Sequence, residues 1–526
     1  MEHFLNEDSN SIREKVVILD FGGQYSMLIA RRVREAGVFC ELLPYDTPWD
    51  EIKRLAPAGI ILSGSPASVN QEGAPRCDRA VYEGGIPVLG ICYGMHLLAE
   101  ELGGEVVRGT RSEFGRTSFE IVEREPLFND DNFDDAGSCC AWMSHQDEVV
   151  KAPPGFHVLA RTENNTLAAI GDHERKIYGL QFHPEVFHTP GGNNVLKRFL
   201  YDVCGCSWSW TPKSFVEDAV EKIRQVVGAD DRVVCALSGG VDSSVVAFLL
   251  DRAISDRAVY IFVDHGLLRL DEAGQVVKLY REKLQGQFIH VNAKKVFLEA
   301  LAGITDPEEK RRIIGSEFIK VFKEKALSMG DITYLAQGTI YPDVIESGSI
   351  SGAAIIKSHH NVGGLPEELG FDLVEPLREL FKDEVRLVGS ELGLPDTILK
   401  RQPFPGPGLA VRIVGDITAE KLSLLQKADY IFREELYNAG LNDEMWQYFA
   451  VLTDVKVVGV KGDDRHYGPV IALRAVVSED AMTADWARLP YELLDKTSLR
   501  ITGEIPEIAR VVYDITSKPP GTIEWE

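Results

Sequence analysis

Leu237-Ser238-Gly239-Gly240-Val241-Asp242-Ser243-Ser244 is the stretch on which the fold turns. It follows the apolar run Arg232-Val233-Val234-Cys235-Ala236-Leu237, which reads as a buried strand, and precedes 245–251, whose apolar spacing is that of a buried helix. The predicted order is strand, tight turn, helix start. Gly239 and Gly240 permit backbone angles and a close approach that a Cβ forbids. Successive N–H groups of such a turn face an anion, and the helix start adds partial positive charge. Ser238, Ser243 and Ser244 add hydroxyl donors, while Asp242 is placed to hold Mg2+ between phosphate oxygens. The Gly-Lys-Ser/Thr ending of a Walker A loop is absent. Gly-Ser turns are common in any α/β chain, but this order of two glycines, an aspartate and three serines favours an ATP cradle.

Two strands further on converge on that loop. Residues 258–263 form a buried run ending in Asp264-His265-Gly266-Leu267-Leu268-Arg269, and 332–337 runs into Gly338-Thr339-Ile340-Tyr341-Pro342-Asp343. Open α/β sheets bind ligands beyond the carboxyl ends of their strands. Val263 and Gly338 are therefore expected beside the nucleotide, with Val241 in the loop itself. The motif SGGVDSS resembles the pyrophosphate loop of the ATP pyrophosphatase family, whose members adenylate a substrate by cleaving ATP between its α and β phosphates.

The N-terminal part has its own organising turn. Residues 15–20, 59–63 and 86–91 read as strands and alternate with amphipathic helical spacing, which predicts a mostly parallel sheet with helices on both faces. The third strand enters Gly90-Ile91-Cys92-Tyr93-Gly94, and a helix follows directly. Gly-x-Cys-x-Gly between strand and helix is a nucleophile-elbow pattern, because a strained turn needs glycine on both sides. Most free cysteines are inert and buried, so the elbow alone leaves Cys92 undecided. His183-Pro184-Glu185 shifts the balance: two apart on an extended segment, the two side chains share a face. Glu185 can then orient the imidazole while His183 serves the thiol.

Asp20 to Gln24, Ile61 to Pro66, the cysteine elbow, Met143-Ser144-His145 and His183-Pro184-Glu185 together resemble the class I glutamine amidotransferases over about residues 15–205. The resemblance implies that Cys92 attacks the side-chain amide of glutamine, that His183 is base and acid, and that Glu185 orients it. It also implies an oxyanion hole at Gly64 and the Tyr93 N–H, with Ser144 and His145 at the glutamine. Three positions depart from the family pattern. His96 replaces a usual glutamine, Ser65 a usual glycine and Phe187 a common threonine, all bordering the expected glutamine pocket.

Size and composition bound these readings. A chain of 526 residues with 44% hydrophobic content suits about three domains. The formal charge of −25 and the lack of any long basic run disfavour nucleic acid as a partner. No stretch approaches the roughly 20 apolar residues of a membrane span, and the polar start shows no secretory signal. The eight cysteines contain no Cys-x-x-Cys pair, so a zinc site or disulfide framework is not expected and a cytoplasmic location is. Cys204-Gly205-Cys206 lacks partners at metal-site spacing.

The expected division is a polar tail 1–14, an amidotransferase domain 15–206, an adenylation domain 211–400 and a third domain 401–526. Pro403-Phe404-Pro405-Gly406-Pro407-Gly408, which cannot continue a helix, opens the third. Within it 451–460 and 470–477 read as strands, 419–439 and 483–489 as helices, which makes a small α+β unit. The run Glu308-Glu309-Lys310-Arg311-Arg312 reads as a solvated helix start. The loop 356–366, with Lys357, reads as able to close over phosphates. Lys382, near a helix start, offers a point charge. The final Lys518-Pro519-Pro520-Gly521-Thr522-Ile523-Glu524-Trp525-Glu526 is stiffened by proline and is expected to dock.

Amidotransferase elbow, SGGVDSS, PFPGPGL and KPPGTIEWE in this order resemble the glutamine-dependent family of ligases that aminates XMP. That resemblance implies conversion of XMP, ATP and glutamine to GMP, AMP, pyrophosphate and glutamate. It further implies Arg311, Lys518 and Glu524 at XMP, Lys357 in a lid, Lys382 at phosphate, and a homodimer formed through the third domain. Two other readings fit parts of the pattern. One is an amidotransferase acting on another adenylated acceptor, such as an NAD synthase or a tRNA-thiolating enzyme. The other is a sensor that binds glutamine or nucleotide without turnover.

Overall fold

Runs of β-branched and aliphatic residues with no polar alternation demand cover on both faces, and both halves of the chain meet this demand with parallel strands between helices. The computed structural model describes residues 14–128, 139–348, 370–461, 464–478 and 483–526. They fall into two units, Met1–Ser214 and Phe215–Glu526. No helix among the described residues is long and apolar enough to cross a membrane.

The first unit holds a nine-stranded sheet in the order β2-β1-β3-β4-β9-β8-β7-β5-β6. Its strands are β1 Lys15–Asp20, β2 Phe39–Pro44, β3 Gly59–Leu62, β4 Val88–Ile91, β5 Glu105–Ile121, β6 Cys139–Lys151, β7 His157–Thr162, β8 Leu167–Asp172 and β9 Ile177–Leu180. From β2 to β9 every pair is parallel. From β9 onward the pairs are antiparallel. The parallel block is the expected one; the antiparallel wing, built on two long strands with mixed polarity, was not anticipated.

In the second unit a five-stranded, wholly parallel sheet runs β12-β11-β10-β13-β14. Here β10 is Arg232–Leu237, β11 Ala258–Asp264, β12 Gln287–Asn292, β13 Ile332–Ala336 and β14 Asp372–Val374. The first strand lies between the second and the fourth, so the order reverses at β10, where crossovers leave a crevice for ligand. A further sheet pairs the hairpin of β15 Gln447–Lys461 and β16 Asp464–Val477 with β17 Asp485–Trp486 and β18 Arg510–Tyr513. One apolar cluster runs from Val234 and Val259 through Leu409 and Phe432 to Ile471 and Ile508, so residues on both sides of position 400 share a core.

Two local expectations fail. Residues 483–489 form no helix: Asp485 and Trp486 pair with β16, and the helix is Tyr491–Glu504. Pro490 stands at its N-cap, and a residue before proline is pushed out of helical angles. The charge run 308–312 is only partly solvated, because the Lys310 side chain is wholly buried.

Candidate functional site

In the first unit the elbow is built by close backbone approach. Cys92 joins β4 to the helix Tyr93–Glu101 at φ 54°, ψ −106°; such a conformation costs on the order of 1–3 kcal/mol in a non-glycine residue and persists only when its surroundings impose it. They do: a Cβ on Gly90 would lie 2.5 Å from the Gly94 carbonyl, and one on Gly94 would lie 2.5 Å from the Leu62 carbonyl. The Cys92 N–H is tied to the Leu180 carbonyl at 2.7 Å, which fixes the elbow to the end of β9.

His183 reaches the elbow from just beyond that strand. Its Nδ1 hydrogen-bonds Glu185 Oε1 at 2.7 Å. The two side chains meet through a turn at Pro184 rather than by strand alternation, since β9 ends at Leu180. His183 is anchored by its own backbone, its N–H to the Trp142 carbonyl at 3.1 Å and its carbonyl to Thr189 Oγ1 at 2.7 Å. Arg32 Nε fixes the Glu185 carbonyl at 2.9 Å, and the Glu185 carboxylate is completely buried. Burial opposes charge on His183, but the Glu185 carboxylate and the Cys92 thiol outweigh it and hold the imidazole protonated well above its ordinary range. A cysteine, an imidazole held in its protonated form and a buried carboxylate on that imidazole are the parts from which an activated nucleophile can be made.

The other expected positions gather here. A Cβ on Gly64 would lie 3.6 Å from His183 Cε1 and 3.9 Å from Cys92 Cβ, so Gly64 borders the thiol. Tyr93 is the first helical residue, and its N–H lies among those a helix leaves for a ligand. The Ser144 carbonyl is 3.8 Å from Cys92 Sγ, and His145 Nδ1 hydrogen-bonds the Asp147 carbonyl at 2.9 Å. Of the three departures, His96 lies inside: its Nε2 bonds Gln181 Oε1 at 2.7 Å, and burial drops its pKa to about 4. Phe187 is 87% exposed, and Ser65 Oγ caps the Ala67 N–H at 3.2 Å.

In the second unit SGGVDSS follows β10 at the point where strand order reverses. Gly239 takes φ +76°, and the helix Val241–Ile254 starts after Gly240. The serines shape the loop: Ser238 Oγ and Ser243 Oγ are 3.0 Å apart, and Ser244 Oγ donates to the Gly240 carbonyl at 2.6 Å. Gly338 packs closely against the loop, since a Cβ there would lie 3.2 Å from that of Asp242. Val263 closes the apolar part of β11 next to the loop strand. Lys382, the first residue of the helix Lys382–Glu391, makes an ion pair with Asp242. Asp242 is partly exposed at the loop and offers hard carboxylate oxygens beside the helix N-terminus, a donor type that fits Mg2+. Lys357 lies outside the described residues.

The expected XMP positions lie around the docked stretch 516–526. Glu524 accepts both Arg412 Nε at 3.0 Å and Nη2 at 2.8 Å, and also Gln447 Nε2 at 2.7 Å. Arg311 Nη2 donates to the Glu526 carbonyl at 2.6 Å. Lys518 pairs through its backbone with Ala484 at 2.7 and 3.0 Å. Sequence reasoning missed the residues that hold this stretch. Lys310 pairs with the Glu526 carboxylate and donates to the Ile413 carbonyl at 2.7 Å. Arg474 donates to the carbonyls of Thr516, Thr522 and Ile523 at 2.5, 2.9 and 3.2 Å. The available signal was a lone arginine inside an apolar run, Leu-Ala-Val-Arg412-Ile-Val and Ile-Ala-Leu-Arg474-Ala-Val-Val.

Comparison with known proteins matches segments of the chain that contain each constellation. Residues 17–203 match the glutamine amidotransferase class-I family, 434–525 the GMP synthase C terminal domain and 213–262 the asparagine synthase family. A glutamine-hydrolysing GMP synthase of Carboxydothermus hydrogenoformans is 57% identical over 97% of this chain and 99% of its own length. That of Caldicellulosiruptor saccharolyticus is 56% identical over 98% and 99%. A Cys92–His183–Glu185 cluster on one sheet, the SGGVDSS turn on another and, decisively, this likeness along nearly the whole chain lead to one conclusion: the chain belongs to the glutamine-hydrolysing GMP synthase family.

Proposed function

We propose that this chain aminates XMP to GMP at the expense of ATP, with nitrogen taken from glutamine, in guanine nucleotide synthesis. The observation that carries the proposal is the joining in one polypeptide of a Cys92–His183–Glu185 triad and a SGGVDSS loop at the reversal point of a parallel sheet. Cys92 attacks the glutamine amide while the Gly64 and Tyr93 N–H groups receive the oxyanion and Ser144 and His145 border the substrate. His183 protonates the departing ammonia, then activates water to release glutamate.

In the other unit the loop amides and the hydroxyls of Ser238 and Ser243 cradle the phosphates, Val263 and Gly338 border the nucleotide, and Lys382 supplies charge; the Ser244 hydroxyl, expected among these donors, is instead buried between the Gly240 carbonyl and the Tyr280 hydroxyl and shapes the loop. Asp242 would hold Mg2+, which when bound neutralises charge on the departing pyrophosphate. The purine C2 oxygen attacks the α-phosphorus of ATP, giving an O-adenylyl intermediate from which ammonia displaces AMP. Water competes for that intermediate, so closure over it, with Lys357 in the lid, protects the yield. Arg311, Lys518 and Glu524 serve XMP, Glu524 from a carboxylate already fixed by Arg412.

The reading extends to a cytoplasmic homodimer and to the four-part division 1–14, 15–206, 211–400 and 401–526. Exposed Val455, Val458, Val460 and Tyr467 on the β15–β16 hairpin support the dimer, because a row of apolar side chains on one arm is costly to leave in water. The test is Cys92→Ala assayed with XMP, ATP and Mg2+. Glutamine-dependent GMP formation falls to background, while ammonium still supports both pyrophosphate release and GMP. Loss of the ammonium reaction in a folded variant refutes the division of labour.

A further inference from the structure

Where the antiparallel wing of the first unit joins β9, at the end of that strand opposite the one leading to His183, three side chains converge with no part in the chemistry above. Glu123 follows the end of β5, His157 opens β7, and His173 lies in the turn after β8. His157 Nδ1 is 3.0 Å from Glu123 Oε2, and His173 Nε2 is 2.9 Å from Glu123 Oε1. All three ligand atoms lie within 4.8 Å of one another, the only such His, Cys, Asp or Glu cluster among the described residues.

We propose that Glu123, His157 and His173 bind a divalent transition-metal ion of the Zn2+ class, with water completing a tetrahedral shell. Two imidazoles and one carboxylate are the donor set such ions select, whereas Mg2+ prefers oxygen alone. Ligands held at about 2.0–2.1 Å from a tetrahedral ion lie roughly 3.3 Å apart. For either carboxylate oxygen as ligand, the imidazole nitrogen already bonded to it needs to move off by only a few tenths of an ångström, while the other separations, all within 4.8 Å, close in by at most about 1.5 Å.

The scaffold is pinned. The N–H groups of Val122 and Glu123 both donate to the Leu159 carbonyl, at 2.8 and 3.1 Å, and β7 pairs with β8 so that His157 opposes Gly171. Behind the cluster stands Tyr178, 2% exposed, whose hydroxyl is 3.2 Å from His173 Nδ1. This contact provides for the ion. Without metal, Nε2–H donates to Glu123 and Nδ1 accepts the tyrosine O–H; with metal on Nε2, the proton moves to Nδ1 and the tyrosine oxygen accepts it. A hydroxyl serves both tautomers without moving, and a second partner that fixes the ring and its tautomer is the usual support of a ligating histidine. His157 makes the corresponding exchange with solvent, since it is more than half exposed. Neither imidazole has to gain net charge.

The experiment uses the full chain carrying Cys92→Ala, so that the triad thiol does not compete, stripped with chelator and dialysed against Zn2+ or Co2+. Bound metal is quantified by atomic emission, and melting is followed with and without the ion. The expected result is one ion per chain with a raised melting temperature. Both effects weaken at least tenfold in apparent affinity in His157→Ala and in Glu123→Gln/His173→Ala. The Co2+ form shows tetrahedral d–d absorption without a thiolate charge-transfer band. His157 is exposed, so its variant tests binding without threatening the fold. Unchanged stoichiometry and affinity in the variants, or a thiolate band showing the ion on cysteine, overturns the proposal.

Discussion

Replacing Glu185 by glutamine removes one charge and almost no volume from the triad. The carboxylate is completely buried and sits 2.7 Å from His183 Nδ1. At an effective dielectric constant of about 20, a unit charge pair at that separation attracts by roughly 6 kcal/mol. Glutamine keeps an oxygen acceptor for Nδ1–H and so retains part of this. A loss of about 4 kcal/mol at the transition state, where the imidazolium must persist to protonate ammonia, corresponds to about 1,000-fold in rate. The assay is glutamine-dependent GMP formation across pH, beside the same reaction driven by ammonium. The glutamine reaction should drop by about 1,000-fold, and its alkaline limb should move to lower pH, because His183 no longer holds its proton above the ordinary range. The ammonium reaction should be unaffected. Stability follows the same sign. Folded His183 has the raised pKa, so the pair stabilises the fold fully below the ordinary imidazole value of about 6.5 and the contribution is lost as pH rises through the raised value. A glutamine reaction within tenfold of the parent, with an unmoved alkaline limb, refutes the role assigned to the carboxylate.

Two further outcomes test the other unit. Arg474→Met strands the carbonyls of Thr516, Thr522 and Ile523 and leaves Asp514 without the guanidinium 3.2 Å away; a cost of about 3–5 kcal/mol is expected, read as a lower denaturation midpoint, faster carboxypeptidase trimming and at least tenfold less XMP-dependent pyrophosphate release, and full activity with a protected C-terminal stretch contradicts it. Val460→Asp, at a residue 72% exposed, should shift sedimentation from dimer to monomer at micromolar chain while leaving the melting of the monomer unchanged; an unaltered mass places the dimer contact elsewhere.

What was legible in the sequence was local. SGGVDSS and the cysteine elbow are each a strand, a turn and a helix start within about fifteen residues; glycine is required in the elbow by backbone contacts at Gly90 and Gly94, and in the loop by the positive φ of Gly239. The three central strands β11, β10 and β13 of the parallel sheet were legible for a related reason, since strands covered on both faces are written as apolar runs; the outer strands β12 and β14, short or with polar residues interleaved, were not read. The antiparallel wing was not: β5 and β6 mix charged and apolar residues over 17 and 13 positions, and their pairing is fixed by register across the chain rather than by any short signal. Residues 483–489 looked helical until Pro490 is weighed as a helix start, which keeps Leu489 out of helical angles, and it is pairing with β16 that holds Asp485 and Trp486 extended.

The charge run 308–312 is where reading by composition gave the wrong environment, and the reason is physical. Lys310 stands among four other charged residues, which suggests water, yet it is the one of that run whose side chain is wholly buried. A buried ammonium is tolerated only beside an opposite charge and further acceptors. Those come from the Glu526 carboxylate and the carbonyls of Ala410 and Ile413, 100 to 216 positions away. Arg412 obeys the same rule through Glu524, and Arg474 through Asp514 and three carbonyls. Each of the three cations therefore needs the stretch 514–526 in place in order to be buried at all. That stretch in turn holds the carboxylate expected to meet XMP, so the arrangement couples completion of the core to assembly of the nucleotide site: a chain in which these last residues are undocked is left with up to three uncompensated buried charges, and docking them positions Glu524 in the same event.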